Sequence, residues 1–265
     1  MQIEGKVVVV TGAGSGIGRA LAQAMVAAGA SVVAGDIDAD AATATASAIG
    51  DRAIGVGADA ASVTGIAALL DAARHTFGPV DIYVANAGVI GAAGLGSEED
   101  WDRVLAVNLR AHIRAADALL PDWTARGSGH FVSVASAAGL LTQVGAAGYA
   151  VSKHAAVGFA EWLSITHGDN GIGVTCVCPM GVATPLLDAI TDSEDATARV
   201  AAASITTAGD VLTADDVAVA ALAGIRDDRF LVLPHASVLD MYRGKGADYD
   251  RWISGMRRYQ RALGG

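Results

Sequence analysis

Short apolar runs alternate with longer segments of helical period along the whole chain. Most of these runs are apolar at every position and lack the in/out alternation of a sheet that has one face in water. Such runs are typical of strands covered on both faces. The predicted strands are Lys6–Val10, Ser31–Asp36, Ala53–Ala58, Val80–Ala85, Gly129–Ala135, Gly173–Cys178 and Phe230–Leu233.

The segments between these strands are long enough to form helices. Because strand–helix alternation favours parallel strands joined by right-handed crossovers, the sequence predicts an α/β fold. The expected form is a single-domain, Rossmann-type, doubly wound parallel sheet of about seven strands flanked by helices, spanning residues 1–265. The predicted helices are about Gly16–Ala28, Asp38–Ile49, Ser62–Phe77, Ser97–Ala125 and Tyr149–His167.

Two further segments are singled out by length and pattern. Residues 181–213 form a long connection, in loops or helices, that is rich in Ala, Thr, Asp and Ser. Long connections are commonly lids or binding loops, so this segment is predicted to cover the substrate. In the C-terminal tail, Trp252 and Met256 stand four residues apart, which predicts a stripe that docks on its own domain or on a neighbouring subunit.

The formal net charge of −10 at pH 7 argues against a nucleic-acid partner, since neutralising phosphates requires a basic face. Arginines do gather near the C-terminus, but Asp248 and Asp250 stand beside them, which favours a solvated helix face. No apolar run approaches the roughly 18 residues that span a bilayer, and the first residues lack a secretion-signal pattern. No membrane partner is expected. The arginines are Arg251, Arg257, Arg258 and Arg261.

The chain has two cysteines, Cys176 and Cys178. Two residues apart on a strand, their side chains point the same way and are not expected to form a disulfide. Neither they nor the scattered histidines show metal-ligand spacing, so no metal site is predicted. The favoured interpretation is a pair of buried core thiols in a reducing cytoplasm.

A glycine-rich turn, Thr11-Gly12-Ala13-Gly14-Ser15-Gly16-Ile17-Gly18, joins the first predicted strand to the first predicted helix. Glycines let the backbone approach a pyrophosphate, and the helix start offers free N–H groups and a favourable dipole. Asp36 ends the next strand, 18 residues beyond Gly18, where a carboxylate that binds adenosine ribose is expected. A carboxylate there repels a 2′-phosphate, and neither Gly35 nor Ile37 is an arginine. These residues predict NAD rather than NADP, although capping of the following helix is an alternative role for Asp36.

Tyr149 and Lys153 stand four residues apart on a predicted helix, so their side chains share one face. A free phenol has a pKa near 10, and the neighbouring ammonium is expected to lower the pKa of Tyr149. Tyr149 would then exchange a proton with an alcohol or a carbonyl while hydride passes to or from nicotinamide. Ser136, 13 residues earlier, would hold the substrate oxygen by a hydrogen bond. Ser133, inside the fifth predicted strand, is the less favoured alternative.

Together these motifs resemble the short-chain dehydrogenase/reductase family, whose landmarks follow in order along nearly the whole chain. The glycine turn matches the family's T-G-x-x-x-G-x-G, and Tyr149-Ala150-Val151-Ser152-Lys153 matches its Y-x-x-x-K. Ser136 stands where the family has its catalytic serine. The resemblance implies that Asn108 is catalytic and holds a water in a proton relay from Lys153, and that Lys153 binds the nicotinamide ribose.

The resemblance also extends the predicted cofactor site. Asp59, with Ala60 beside it, follows the third predicted strand, where the family has an aspartate near the adenine. Asn86-Ala87-Gly88 matches the family's N-A-G motif, and Pro179-Met180-Gly181-Val182-Ala183-Thr184 is similar to its P-G-x-x-x-T segment, with Met180 where glycine is usual. The predicted cofactor contacts are Gly12, Gly14, Ser15, Gly16, Ile17, Gly18, Asp36, Ile37, Asp59, Ala60, Asn86, Ala87, Gly88, Tyr149, Lys153, Pro179, Gly181, Val182 and Thr184.

The predicted function is that of an NAD-dependent oxidoreductase that interconverts a secondary alcohol and a ketone, with Tyr149 as general acid/base. No Arg or Lys stands in the apolar stretches 140–144 and 186–190, so a neutral, fairly hydrophobic substrate is expected. The alternatives are another reaction on a nucleotide-bound substrate, and a cofactor-binding protein without catalysis. The resemblance implies a homo-oligomer, most simply a tetramer, joined through the fourth and fifth helices. The predicted substrate contacts are Ser136, Leu141, Tyr149, Met180 and Leu186.

Overall fold

The computed structural model describes residues 1–264, which contain one seven-stranded parallel sheet with helices on both faces. The predicted fold class is confirmed. The strands follow the order β3-β2-β1-β4-β5-β6-β7 across the sheet. They are β1 Val7–Thr11, β2 Ser31–Asp36, β3 Ala53–Gly57, β4 Ile82–Ala85, β5 Gly129–Val134, β6 Ile172–Val177 and β7 Leu231–Val232.

The five helices named from the sequence are present, and all except the fourth keep their bounds to within two residues. Of the helices in residues 1–264, none is both long and apolar enough to cross a membrane. The helices are α1 Gly16–Ala27, α2 Ala39–Ile49, α3 Val63–Thr76, α4 Glu98–Leu105, α5 Ala111–Arg126, α6 Ala147–His167, α7 Pro185–Thr191, α8 Ala196–Thr206, α9 Ala214–Arg226, α10 Ser237–Ala247 and α11 Tyr249–Leu263.

The first strand shows why the apolar runs are continuous. All five residues of β1 are buried. Val9 belongs to the core on one face of the sheet, with Trp123 of α5, whereas Val8 belongs to the core on the other face, with Leu21 of α1. Because successive side chains of a strand point to opposite faces, a strand with a core on each side needs an apolar residue at every position.

The strand order creates a crevice at the carboxyl ends of β1 and β4. These two strands are neighbours, with Val10 beside Val84. The chain leaves β1 toward β2 on one side and leaves β4 toward β5 on the other, so the connections after the two strands diverge. Ligands of doubly wound sheets bind at such a switch point. The glycine turn and Asn86-Ala87-Gly88 both lie there.

The fourth helix is not the continuous Ser97–Ala125 that the sequence predicts. A π-helical turn, Ala106–Arg110, separates α4 from α5, and the N–H of Ala111 donates to the carbonyl of Ala106. A hydrophobic pattern of period 3.6 does not predict the extra residue in this turn. Single π-turns inside helices often mark functional sites, and this one contains Asn108.

The long connection 181–213 forms α7 and α8. Its two ends are joined at the base, because the N–H of Ala183 donates to the carbonyl of Leu212 and the N–H of Leu212 donates to the carbonyl of Gly181, at 2.9 and 3.0 Å. The segment therefore leaves the sheet and returns to the same place, with two helices in between.

The C-terminal helices α10 and α11 are held to the body of the protein by a buried lysine. Lys245 is 6% exposed, and its Nζ donates to the carbonyls of Leu140 and Leu141 at 2.7 and 2.8 Å. The same ammonium lies 5.4 and 5.0 Å from the ring centroids of Tyr249 and Trp252 at the start of α11. Lys245 thus connects the tail to the segment that follows the predicted catalytic serine.

Replacing Lys245 by methionine, which has a similar length, is expected to lower the free energy of unfolding by about 2 kcal/mol. The substitution leaves two carbonyls without their charged donor in a buried place. Urea denaturation would measure the change. Lys6→Met is the matched control, because Lys6 is partly exposed and lies 3.8 Å from Asp81, so it should cost less than about 1 kcal/mol. Equal losses for the two variants would contradict the role given to Lys245.

Candidate active site

A cavity of about 1310 Å³ opens at the carboxyl edge of the sheet. Most of the residues predicted to bind cofactor or substrate line it, although they come from segments spread over most of the chain. Gly14, Gly18, Asn108 and Gly181 do not line it. The predicted residues that line it are Gly12, Ser15, Gly16, Ile17, Asp36, Ile37, Asp59, Ala60, Asn86, Ala87, Gly88, Ser136, Leu141, Tyr149, Lys153, Pro179, Met180, Val182, Thr184 and Leu186.

The glycines of the turn after β1 are required by its geometry. Gly12 and Gly16 have φ angles of 64° and 50°, which glycine adopts without strain. Gly18 packs against the carbonyl of Gly12, where a Cβ would collide. The side chain of Ser15 does not cap α1, so the first N–H groups of that helix remain available to an anion at the cavity wall.

Asn86 fastens the turn to the next strand. Its Nδ2 donates to the carbonyls of Thr11 and Gly12 at 2.8 and 3.3 Å. The Oγ1 of Thr11 accepts from the N–H groups of Asn86 and Ala87 at 3.0 and 3.1 Å. The N-A-G segment therefore fixes the glycine turn across the crevice.

Asp36 lies at the cavity wall at the end of β2. Its Oδ2 accepts from the N–H of Gly14 at 2.8 Å, and its Oδ1 accepts from the N–H of Asp38 at 3.0 Å. Asp38, rather than Asp36, caps α2. The guanidinium of Arg19 binds the carbonyl of Gly14 and the hydroxyl of Thr45, and it does not line the cavity. The wall near Asp36 thus presents a carboxylate.

Ser136 and Tyr149 meet at the opposite part of the cavity. Ser136 follows β5, and its Oγ accepts from the N–H of Ala138 at 3.1 Å and donates to the carbonyl of Pro179 at 3.4 Å. Tyr149 lines the same part of the cavity, and the Ser136 hydroxyl is near enough to lower its pKa. Ser133, the alternative, is fully buried, bonds to His112 at 3.1 Å and does not line the cavity. The geometry favours Ser136.

The pKa values of Tyr149 and Lys153 differ from those expected from their spacing alone. Burial raises the pKa of Tyr149, and the Ser136 hydroxyl lowers it by less. Burial also lowers the pKa of Lys153 to about 8. The Nζ of Lys153 lies 5.7 Å from the Tyr149 ring centroid and donates to the carbonyl of Val134 at 3.0 Å. The predicted lowering of the Tyr149 pKa is wrong for the protein alone, because burial desolvates the phenolate and raises that pKa.

Asn108 is fully buried and its side-chain amide is bonded to protein atoms. Its Oδ1 accepts from the N–H of Val89 at 2.9 Å, and its Nδ2 donates to the Val89 carbonyl and to the Ser152 hydroxyl at 2.8 and 3.0 Å. A Cβ on Gly88 would lie 3.4 Å from Asn108 Oδ1 and 3.5 Å from Lys153 Nζ, so the two side chains approach the same glycine. The predicted water-binding role of Asn108 stays a prediction.

Several cavity residues escaped the sequence reasoning. His235 holds the segment that carries Met180: its Nδ1 accepts from the N–H of Met180 at 3.1 Å, and its Nε2 donates to the carbonyl of Gly181 at 3.0 Å. For the cavity residues on α11, the amphipathic spacing of that helix was a usable signal, whereas Arg103, Gln143 and Met241 lie on other segments. Within residues 1–264, no three His, Cys, Asp or Glu side chains are grouped to bind a metal. Cavity residues not predicted include Arg103, Gln143, Met241, Arg251, Trp252, Met256, Arg258 and Tyr259.

The fold and the site define a class of protein. A doubly wound parallel sheet carries a phosphate-binding turn, a carboxylate at the next strand end and a Ser–Tyr–Lys group, all on one cavity. This is the arrangement of a dinucleotide-dependent oxidoreductase. A family model described as short chain dehydrogenase matches residues 6–195, and the chain belongs to this family.

Similar proteins agree with this assignment. Momilactone A synthase of Oryza sativa subsp. japonica is 39% identical over 173 residues, which are 62% of this chain and 62% of that protein. The 2-(R)-hydroxypropyl-CoM dehydrogenase of Xanthobacter autotrophicus is 34% identical over 144 residues, 52% of this chain and 58% of that protein. The chain thus matches about three fifths of the length of these relatives.

Among solved structures, a short chain dehydrogenase/reductase from Burkholderia phymatum, determined in complex with NAD, superposes with a TM-score of 0.84. It is 32% identical in sequence, and the match covers 94% of this chain and 96% of the other.

Proposed function

We propose that this protein is an NAD-dependent oxidoreductase that interconverts a secondary alcohol and a ketone, with Tyr149 as general acid/base. The observation that carries the proposal is that Ser136, Tyr149 and Lys153 line the same cavity as the glycine turn and Asp36. A proton-exchanging group and a dinucleotide site in one cavity serve hydride transfer. The similar Xanthobacter protein, a dehydrogenase whose substrate is named as a secondary alcohol, supports this reaction class.

The residues present fit NAD. The turn of Gly12 and Gly16 leaves no Cβ between backbone and cavity, and the uncapped start of α1 suits a pyrophosphate. The Asp36 carboxylate can accept hydrogen bonds from two ribose hydroxyls and disfavours a 2′-phosphate. Asp59 and Ile37 would border the adenine, and Val182 and Thr184 the carboxamide. When bound, NAD supplies the hydride acceptor or donor of the reaction.

The chain's own groups would handle the proton and the substrate oxygen. Ser136 donates a hydrogen bond to that oxygen and orients it beside the Tyr149 hydroxyl. Tyr149 removes the proton of an alcohol or delivers one to a ketone. Lys153, with a pKa of about 8, is mostly protonated at neutral pH and stabilises the phenolate as it forms. Asn108 positions Val89 and Ser152 behind Lys153, and we propose that it also holds a relay water.

The substrate side of the cavity is largely apolar next to the reacting oxygen. Leu141, Met180 and Leu186 line it, together with Val144 and Ile190. These residues suit an alcohol whose carbon chain near the hydroxyl is hydrophobic. We propose that residues 181–213, whose helices α7 and α8 contribute part of the wall, cover the bound substrate.

The reaction class is tested by following nicotinamide absorbance while the protein meets a panel of secondary alcohols with NAD and of ketones with NADH. Turnover of at least one alcohol–ketone pair in both directions is expected. NADH binding is measured separately by the fluorescence of NADH. If the protein binds NADH but turns over no member of either panel, it is a cofactor-binding protein and the proposed reaction is wrong.

We further propose a homotetramer joined through α5 and α6. Exposed apolar side chains lie on these helices: Ile113 is 42% exposed, Trp162 51% and Ile165 84%. Light scattering at micromolar protein should give a mass of about four chains, and Trp162→Glu combined with Ile165→Glu should lower it, since buried unpaired charges weaken association. The control Val63→Glu, 66% exposed on α3, should leave the mass unchanged. A monomeric mass for the unaltered protein would contradict this proposal.

The two cysteines suit a reducing compartment. Cys176 and Cys178 are buried and unbridged, with their Sγ atoms 3.8 Å apart. The neighbouring Cys178 thiol and burial raise the pKa of Cys176, which keeps it protonated and unreactive. We propose that they are core thiols of a cytoplasmic enzyme.

A further inference from the structure

The last helix, α11, forms part of the cavity wall and presents two stripes to it. One stripe is aromatic and apolar: Trp252, Met256 and Tyr259, at positions i, i+4 and i+7. The other, defined here as the arginine stripe, is Arg251, Gly255 and Arg258, with the same spacing. The tail stripe expected from Trp252 and Met256 therefore faces the cavity of its own domain. Two of the tail arginines, read from sequence as a solvated face, line the cavity.

The arginine stripe leaves space between its two charges. A Cβ on Gly255 would lie 3.8 Å from Nη2 of Arg258, so this guanidinium reaches back over the glycine toward Arg251. Among residues 1–264, neither arginine side chain has a carboxylate within ion-pair distance or another hydrogen-bond partner. The nearby carboxylate of Asp248 caps the helix by accepting from the Arg251 N–H at 2.9 Å.

Local stability does not account for these charges. Arg251 lies in the first turn of α11, where the helix dipole disfavours a cation. Asp250 is also in this turn, yet it forms no ion pair with Arg251. Arg251 and Arg258 are exposed residues that line the cavity without an ion pair, so their guanidinium groups are available to an anionic ligand.

The arginine stripe lies at the substrate end of the cavity. The hydroxyl of Tyr259 bonds to Thr207 at 2.7 Å and to the carbonyl of Ser204 at 3.1 Å, which places α11 on the segment 181–213. Lys245 ties the same tail to Leu140 and Leu141, just beyond Ser136. Asp36, at the expected ribose end, follows β2, on the other side of the sheet from β7.

From these contacts we infer that the substrate carries an anionic group, such as a carboxylate, remote from its reacting alcohol or ketone, and that Arg251 and Arg258 bind it. The inference rests on the proposed function and deepens it. The substrate then has an apolar middle against Leu141, Met180 and Leu186 and an acidic end on α11. This replaces the neutral substrate expected when only the stretches 140–144 and 186–190 were considered.

The test compares methyl-ketone acids of increasing chain length with their methyl esters, assayed as NADH oxidation. At the best length the acid should exceed its ester in kcat/KM by about 10- to 100-fold, the range expected for charge-assisted hydrogen bonds. In R251Q/R258Q this preference should vanish through KM, while kcat/KM for the ester changes less than about twofold. The control R257Q/R261Q alters two arginines of the same helix that do not line the cavity and should keep the preference.

A second readout separates this inference from the proposed reaction. Straight-chain carboxylates and the corresponding primary amides are titrated calorimetrically into the NADH-loaded protein. Carboxylates of suitable length should bind at least about 10-fold more tightly than the amides, and R251Q/R258Q should abolish the difference. Equal binding of acids and amides by the unaltered protein, or an undiminished preference in R251Q/R258Q, would overturn the inference. Binding of carboxylates without any ketone turnover would support the anion site and reject the proposed reaction.

Discussion

Tyr149→Phe is expected to lower kcat for the alcohol by about 10²- to 10⁴-fold, with little change in the dissociation constant of NADH. The substitution removes the one hydroxyl that exchanges a proton with substrate, and general acid/base catalysis contributes an effect of this size. The ring and its packing are retained. Steady-state turnover by nicotinamide absorbance measures kcat, and quenching of NADH fluorescence measures cofactor binding.

The matched control for this substitution is Tyr242→Phe. Tyr242 is 39% exposed on α10 and borders a smaller, separate cavity, so its hydroxyl has no path to the reacting atoms. Less than about a twofold change in kcat is expected. If Tyr149→Phe retained turnover like that of Tyr242→Phe, Tyr149 would not be the acid/base of the reaction.

Asp36→Asn should reduce the preference for NAD over NADP by about 100-fold. Asparagine keeps an oxygen for the Gly14 or Asp38 N–H but removes the negative charge, so the variant separates electrostatics from the support that the carboxylate gives to the turn. Loss of a charged acceptor weakens binding of the ribose hydroxyls, and loss of repulsion admits the 2′-phosphate. The ratio of kcat/KM for the two cofactors gives the preference.

Asp38→Asn is the control for cofactor choice. Asp38 is an exposed carboxylate two residues away that caps α2 and does not line the cavity, and asparagine is an equally good cap. The cofactor preference of the Asp38→Asn variant should match that of the unaltered protein. A protein that prefers NADP from the outset would refute the role given to Asp36.

The fold was largely predictable because the signals for it are local. A strand such as β1, apolar at each position, can be stable only between two layers of helices. Five consecutive residues are therefore enough to predict that both of its faces are covered. The structure differs from the prediction where pairing with a distant strand sets the length of a strand. The run Phe230–Leu233 gives only Leu231–Val232 as β7, because its partners are just Cys176 and Val177 of β6.

The catalytic motifs were predictable for the same reason. Tyr149 and Lys153 share a helix face by their spacing, and the glycine turn lies between a strand and a helix that are adjacent in sequence. The spacing did, however, lead to a wrong prediction for the pKa of Tyr149, which was expected to be lowered. That quantity depends on burial by distant segments, and here burial raises it.

The sequence by itself determined the sheet, most of its helices, the glycine turn and the shared helix face of Tyr149 and Lys153, since each depends on neighbours within one or two elements. Only the tertiary structure decided that α11 forms a wall of the cavity, that His235 and Lys245 support the segments around it, and that Arg251 and Arg258 line it. The contacts of Lys245 join residues more than 100 positions apart. The local hydrophobic period of the sequence does not predict such contacts, because only the packing of the whole chain brings these residues together.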